Sequence, residues 1–507
     1  MDYTMSKLIT GHKIIKYHMD SKGKLFLIYL SSLCFIYIIP IIIANRYYID
    51  DLGRAQDGYF GWSSNGRPLA DLLMSLVNLN AESTIDISPL TLFIGIIIFI
   101  ICAYLYFRSN LNHFNSIASA VICFLIIANP FLLENLSYKF DVVPMIAALS
   151  LMLLPFLSYS SKLLKWFFSV SFVVISLCLY QAVIGFFVCL AVIEFIINAS
   201  NKQYTKQLDL IIDILCRAAQ LLVGYFIYSN ISAHFVFGEY NIEHSTLISI
   251  DREGINIFIN NALAFLSMVL LYVNGMLLLS LISLATVSIF IIKTAIGIFN
   301  NNRRSFLNLI IIILLLISPL IIMAFAAIHL CLLKYPVFSD RVMASFSGFM
   351  LLVGISYFSL IKNFKHHIIL STPFVLPLLV YSYAFGSAMD AQNKFDYFLS
   401  YIMAEEISRN DPEATKTIMF FGVQPSSPQR DNAIRRFPSL SSVVPLYYNN
   451  GWWGKGMIKM FGIQNPIENA NYTINPCEMK MVSKGQMYNT FVNDKYFVID
   501  FRKISCK

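Results

Sequence analysis

The chain has 507 residues, 57% hydrophobic and only 13% charged, with a formal net charge of +8. Apolar runs long enough to cross a bilayer recur along it, which excludes one or two water-soluble domains. The basic residues sit in short loops between those runs, so the charge reports membrane topology and not a nucleic-acid surface.

In chain order, residues 1–24 are polar and basic and lack a cleavable-signal pattern, which reads as a cytoplasmic amino terminus ahead of an uncleaved anchor. About eleven spans follow, near 25–44, 89–107, 117–133, 142–157, 166–180, 182–197, 210–228, 275–292, 306–328, 342–361 and 368–385. The run 166–197 is too long for one ordinary span, and Tyr180-Gln181 is the polar point at which it turns; one tilted helix is the rival reading.

Alternate loops are basic, which places them in the cytoplasm. They carry Lys7, Lys13, Lys16, Lys22 and Lys24, then Arg108, Lys162 and Lys165, Lys202 and Lys206, Arg303 and Arg304, and Lys362 and Lys365. The intervening loops are neutral or acidic: 46–88 holds three Arg against six acidic residues, and 230–254 one Arg against four. Segment 256–273 is apolar but meets the next run without a charged break, and reads as an amphipathic helix on the outer surface. Counting it as a span would bring the tail inside. The expected organisation is therefore an all-α polytopic membrane domain over 25–385, with outer loops 45–88, 134–141 and 230–274. A folded α+β domain over 386–507 lies outside and includes the strand-like stretch from Tyr496 to Phe501.

The first outer loop places Asp50 and Asp51 directly after the first span. Adjacent carboxylates repel, which raises at least one pKa and suits a proton acceptor, although a solvated acidic turn has the same sequence. Arg67 precedes Pro68 at the start of a surface helix, where it would hold a phosphate or anchor to lipid. The second outer loop packs Glu134, Tyr138, Lys139 and Asp141 between two spans; Lys139 faces a phosphate or pairs with a neighbouring carboxylate. Arg341 flanks a later outer loop beside Asp340 and His329, as a phosphate ligand or a snorkelling anchor. Glu194, Asp209, Asp213 and Arg217 read as interfacial ion pairs, and Trp452-Trp453 as a stacking or core element of the tail.

Seven of nine cysteines lie in or beside apolar runs without metal-type spacing. The other two, Cys477 and Cys506, fall in the tail and would pair by a disulfide in an oxidising compartment. Walker, GxGxxG, HExxH, EF-hand and CxxC patterns are absent, so energy must arrive in an activated substrate or an ion gradient.

Tyr47-Tyr48-Ile49-Asp50-Asp51, Asn65-Gly66-Arg67-Pro68-Leu69, the stretch from Asn129 to Asp141, and Leu179-Tyr180-Gln181-Ala182 resemble the serotype-converting O-antigen glucosyltransferases of enterobacterial phages and their hosts. The resemblance implies a GT-C-like enzyme of the bacterial inner membrane with its site on the periplasmic face. It would take glucose from undecaprenyl-phosphate glucose, supplied by a carrier-lipid synthase and a flippase, and attach it to O-antigen polysaccharide with inversion. On this pattern Asp50 or Asp51 is the base. Lys139 with Arg67 or Arg341 meets the lipid phosphate, and Glu134, Asp141, Tyr138, Gln181 and Trp62 bind substrate. No cofactor is expected, although adjacent carboxylates could recruit a divalent cation. The competing classes are a lipid-linked sugar flippase or transporter, and another O-antigen enzyme such as a polymerase or ligase.

Overall fold

The computed structural model describes residues 20–200, 207–301, 306–361, 366–449 and 453–506. Lys7, Lys13, Lys16, Lys202, Lys206, Arg303, Arg304, Lys362, Lys365 and Trp452, all named above, lie outside the described residues. The chain is mostly helical. Among the described residues ten helices are long and apolar enough to cross a membrane.

That set differs from the expected spans in two ways. The stretches expected at 117–133 and 142–157 form shorter helices, Ser116–Ile127 and Val142–Leu151. The first stops at Ala128, ahead of Asn129-Pro130, because a proline lacks the N–H that would continue the ladder. Nearly every residue from Ser116 to Phe156 is buried, so protein surrounds these broken helices and can satisfy backbone that lipid could not.

The second difference is Arg252–Gly275, a 24-residue helix with span-like hydropathy. Its side-chain contacts include the 331–338 stretch, Phe131 and Tyr381. At its start, Ile248 and Lys334 exchange backbone bonds with Leu332 and Thr246. Asn261 donates to the carbonyls of Cys331 and Leu333, Phe265 meets Phe338 at 5.1 Å, and Tyr272 meets Phe131 at 4.2 Å. At its close, Arg436 of the tail donates to the Gly275 carbonyl.

The turn at Tyr180 divides 162–200 into two helices, Lys162–Leu179 and a second that ends at Ser200. They run back to back, because Lys165 near the start of one pairs with Glu194 near the end of the other at 3.3 Å.

The last helix, His367–Asn410, continues 25 residues beyond Phe385 without a break. At Gly386 a Cβ would lie 2.3 Å from the Pro40 ring, so only glycine permits this crossing with the Ser21–Ala44 helix. Beyond it lies a five-stranded mixed sheet, β1 (Thr417–Phe421), β2 (Ile467–Glu468), β3 (Lys480–Lys484), β4 (Asn489–Val492) and β5 (Tyr496–Asp500), in the order β2-β1-β5-β4-β3. Cys477 and Cys506 are joined by a disulfide across this region. The apolar core runs without interruption from the bundle into the tail, through Tyr381, Phe437, Leu440 and Val443.

Candidate active site

The turn after the first long helix bears both adjacent carboxylates and sends them to different environments. Ile49 sits at φ 28°, in the left-handed region that a β-branched residue avoids. The turn is held by Asp51, whose Oδ2 accepts from the N–H groups of Tyr48 and Lys139, both at 2.9 Å, while Oδ1 accepts from Phe140 at 3.3 Å. Asp51 is fully buried. Burial pushes its carboxyl up to about 8, against three N–H donors that favour the charged form. It is a clamp between the two outer loops. Asp50, by contrast, is 45% exposed and points to Arg341, whose Nη1 lies 3.1 Å from its Oδ2.

Around Arg341 the other candidates converge. Its backbone N–H donates to Glu134 Oε2 at 2.7 Å, and its carbonyl accepts from Tyr180 at 2.8 Å and Asn135 at 3.2 Å. Its guanidinium reaches the Tyr138 hydroxyl. Burial raises the Glu134 carboxyl above the usual range, with the Arg341 guanidinium working against the shift. Burial likewise holds the Tyr138 phenol well above its ordinary value, again opposed by Arg341. The arginine is thus held by three hydrogen bonds at its backbone N–H and carbonyl while its charged end stays partly open.

Arg67 joins this group through Tyr180. Its guanidinium carbon lies 4.7 Å above the Tyr180 ring, and its Nε donates to Gln181 Oε1 at 2.8 Å. Gln181 in turn donates to the Asn65 carbonyl. The preceding Gly66 has φ 75°, and a Cβ there would press on Gln181 and the Tyr228 hydroxyl at about 3 Å, so the loop can close over Tyr180 only with glycine.

Other candidates fall elsewhere. Lys139 is drawn away from Arg341: its Nζ donates to Asn45 at 2.8 Å and Asp86 at 3.2 Å and lies 4.1 Å above the Tyr47 ring. Trp62 and Asp141 are buried against each other, with Trp62 Nε1 donating to Asp141 at 2.6 Å and Arg54 stacked on the indole at 4.1 Å. Neither of those side chains faces an opening; together they brace the first outer loop. Asp340 is buried and accepts from Ser442 of the tail. Glu194 and Arg217 pair at 2.7 Å beside Lys165. Among the described residues no group of three or more His, Cys, Asp or Glu side chains is placed to share a metal ion. Asp50 and Asp51 do not converge on one point, since the oxygens of Asp51 are taken by backbone donors.

Sequence reasoning passed over one cluster. Arg46, in the first outer loop, forms a 2.6 Å ion pair with Asp396 on the extended last helix, and neither side chain is exposed. Gln392 and Gln424 each donate to the same carboxylate at 2.7 Å. Arg46 also donates to the Pro445 carbonyl and lies over the Tyr447 ring. The i, i+4 spacing of Gln392 and Asp396, just beyond the apolar run that ends near Phe385, was the available signal.

The 29% identical "Uncharacterized 55.3 kDa protein in gtrB 5'region" of Salmonella phage P22 aligns over 475 residues, covering 91% of this chain and 94% of its own length. No solved structure matches. The family model for glucosyl transferase GtrII matches residues 39–352, which takes in Asp50, Arg67, the 134–141 loop, Tyr180 and Arg341, and the chain belongs to that family.

Proposed function

We propose that this membrane enzyme moves glucose from undecaprenyl-phosphate glucose to a hydroxyl of lipopolysaccharide O-antigen on the periplasmic face of the inner membrane, producing serotype conversion. The observation that carries this reading is the open carboxylate of Asp50 set against Arg341, at the same end of the bundle as the folded tail. The path supports eleven crossings, with the two short buried helices as crossings and Arg252–Gly275 lying in the outer interface. A tail disulfide suits the oxidising side.

In this reaction the acceptor oxygen attacks the anomeric carbon from the face opposite the phosphate. Asp50 takes the hydroxyl proton as that bond forms, the bond from anomeric carbon to phosphate oxygen breaks, and the configuration inverts. The electron pair leaves on the lipid phosphate, where Arg341 and Arg67 offset the charge. Because Arg341 already pairs with Asp50, an arriving phosphate competes for the guanidinium and frees the carboxylate to act as base. Glu134 and Tyr138 hold Arg341 at the site. The donor comes from a partner synthase and flippase, and the tail offers the polysaccharide a surface outside the bilayer.

The test is Asp50→Asn in a host strain lacking the gene, with O-antigen glucose read by mass at matched protein level. Loss of transfer by more than about a hundredfold is expected. Normal glucosylation by Asp50→Asn overturns the assignment.

A further inference from the structure

A cavity of about 170 Å³ opens between the Ser21–Ala44 helix and the Leu90–Tyr106 helix. Ile41 and Ile42 of the first, with Pro89 and Leu92 at the start of the second, form its apolar walls. Ile43 and Leu90 beside it are 67% and 51% exposed, so the walls continue into the lipid-facing surface. At the polar end stand Lys139 and Arg46. The Nε of Arg46 is buried without a hydrogen-bond partner, although its other nitrogens are engaged. An unmade bond from a buried guanidinium is costly. The Lys139 ammonium has three protons and directs two of them at Asn45 and Asp86.

From this cavity, and resting on the donor class given above, we propose that the crevice is the seat that receives the phosphomonoester head of the polyprenyl carrier once its sugar has been transferred. Its chain lies along Ile41, Ile42 and Leu92, and its head sits one tyrosine ring away from Arg341. Tyr138 lines the cavity on one side and touches Arg341 with its hydroxyl.

The two counter-ions of the crevice differ in a way that selects a doubly charged head. Asp396 is fully buried and stays on Arg46. The Asp86 side chain is 24% exposed and can be displaced from Lys139 by a stronger anion. A monoester dianion would outcompete it more effectively than the single charge of a phosphodiester headgroup.

The experiment uses the full chain in phosphatidylcholine nanodiscs, with undecaprenyl monophosphate and phosphatidylglycerol as probes and binding read by native mass spectrometry. No acceptor or glucose is present, so the outcome is separate from that of the transferase assay. Lys139→Met weakens undecaprenyl monophosphate binding by more than about tenfold, and Leu92→Trp, which fills the crevice, does the same. Asp86→Asn, an exposed position that tolerates change, tightens binding by about fivefold because it removes a competing carboxylate. A purely structural Lys139–Asp86 pair predicts the opposite sign. Leu163→Trp, on another exposed helix face, leaves binding unchanged. Unchanged affinity in Lys139→Met and Leu92→Trp, weaker binding in Asp86→Asn, or equal competition by phosphatidylglycerol would each overturn the proposal.

Discussion

Replacing Asp51 by Ala separates its role from that of its neighbour. The substitution leaves the N–H groups of Tyr48, Lys139 and Phe140 buried with no acceptor, two of them from bonds of 2.9 Å and one from a bond of 3.3 Å. At about 1–3 kcal/mol for each orphaned donor, and less for the longest, the cost is about 3–6 kcal/mol. That is a large share of a typical stability of about 5–15 kcal/mol. Asp50→Ala loses one solvent-screened ion pair, worth about 1 kcal/mol or less. With an unfolding entropy near 1 kcal/mol/K for a chain of this length, Asp51→Ala should melt about 3–6 °C below wild type and Asp50→Ala about 1 °C below. Thermal unfolding of detergent-solubilised protein, followed by a thiol-reactive dye, gives the readout, because six of the seven free cysteines are buried. Equal melting of Asp51→Ala and wild type, or an equal drop in Asp50→Ala, would refute the clamp.

Two further outcomes follow from buried charges. The Asp51 carboxyl is raised from its ordinary value of 3.8 to about 8, so the folded state holds that proton more tightly than the unfolded one. Its contribution is full below about pH 4 and lost as pH rises through about 8; the stability of wild type relative to Asp51→Asn, which mimics the protonated acid, should therefore fall from pH 5 to pH 9. At the join of tail and bundle, Arg46→Met should cost about 3–5 kcal/mol. Asp396→Ala should cost more, since it orphans Arg46 together with Gln392 and Gln424, and limited proteolysis of the tail orders the two variants.

Much of this layout was legible in the residues. Run length located most of the helices, and the polar Tyr180-Gln181 pair marked a turn inside a continuous apolar run. Hydropathy gives Arg252–Gly275 the same span-like signature as the other long helices, and only its contacts with Cys331, Leu333 and Arg436 carry further information. It likewise overstated the lengths of the helices near 117 and 142, whose apolar residues continue into buried loops. In the site, composition pointed to Asp50 and Asp51 as a pair, but only the fold decides which of two successive side chains faces inward. Arg46 was missed because its partner lies 350 positions away on a helix that seemed to end at Phe385.

The unbroken His367–Asn410 helix makes the tail a rigid arm whose heading is set by helical phase. One residue inserted between Gly386 and Gln392 would turn everything beyond it by about 100° and advance it by about 1.5 Å, carrying Asp396 away from Arg46. An insertion or deletion there keeps the Arg46–Asp396 pair only if its length restores whole turns. A chimera that exchanges tails between relatives has to be joined in phase along this helix, which makes its angular register a design variable.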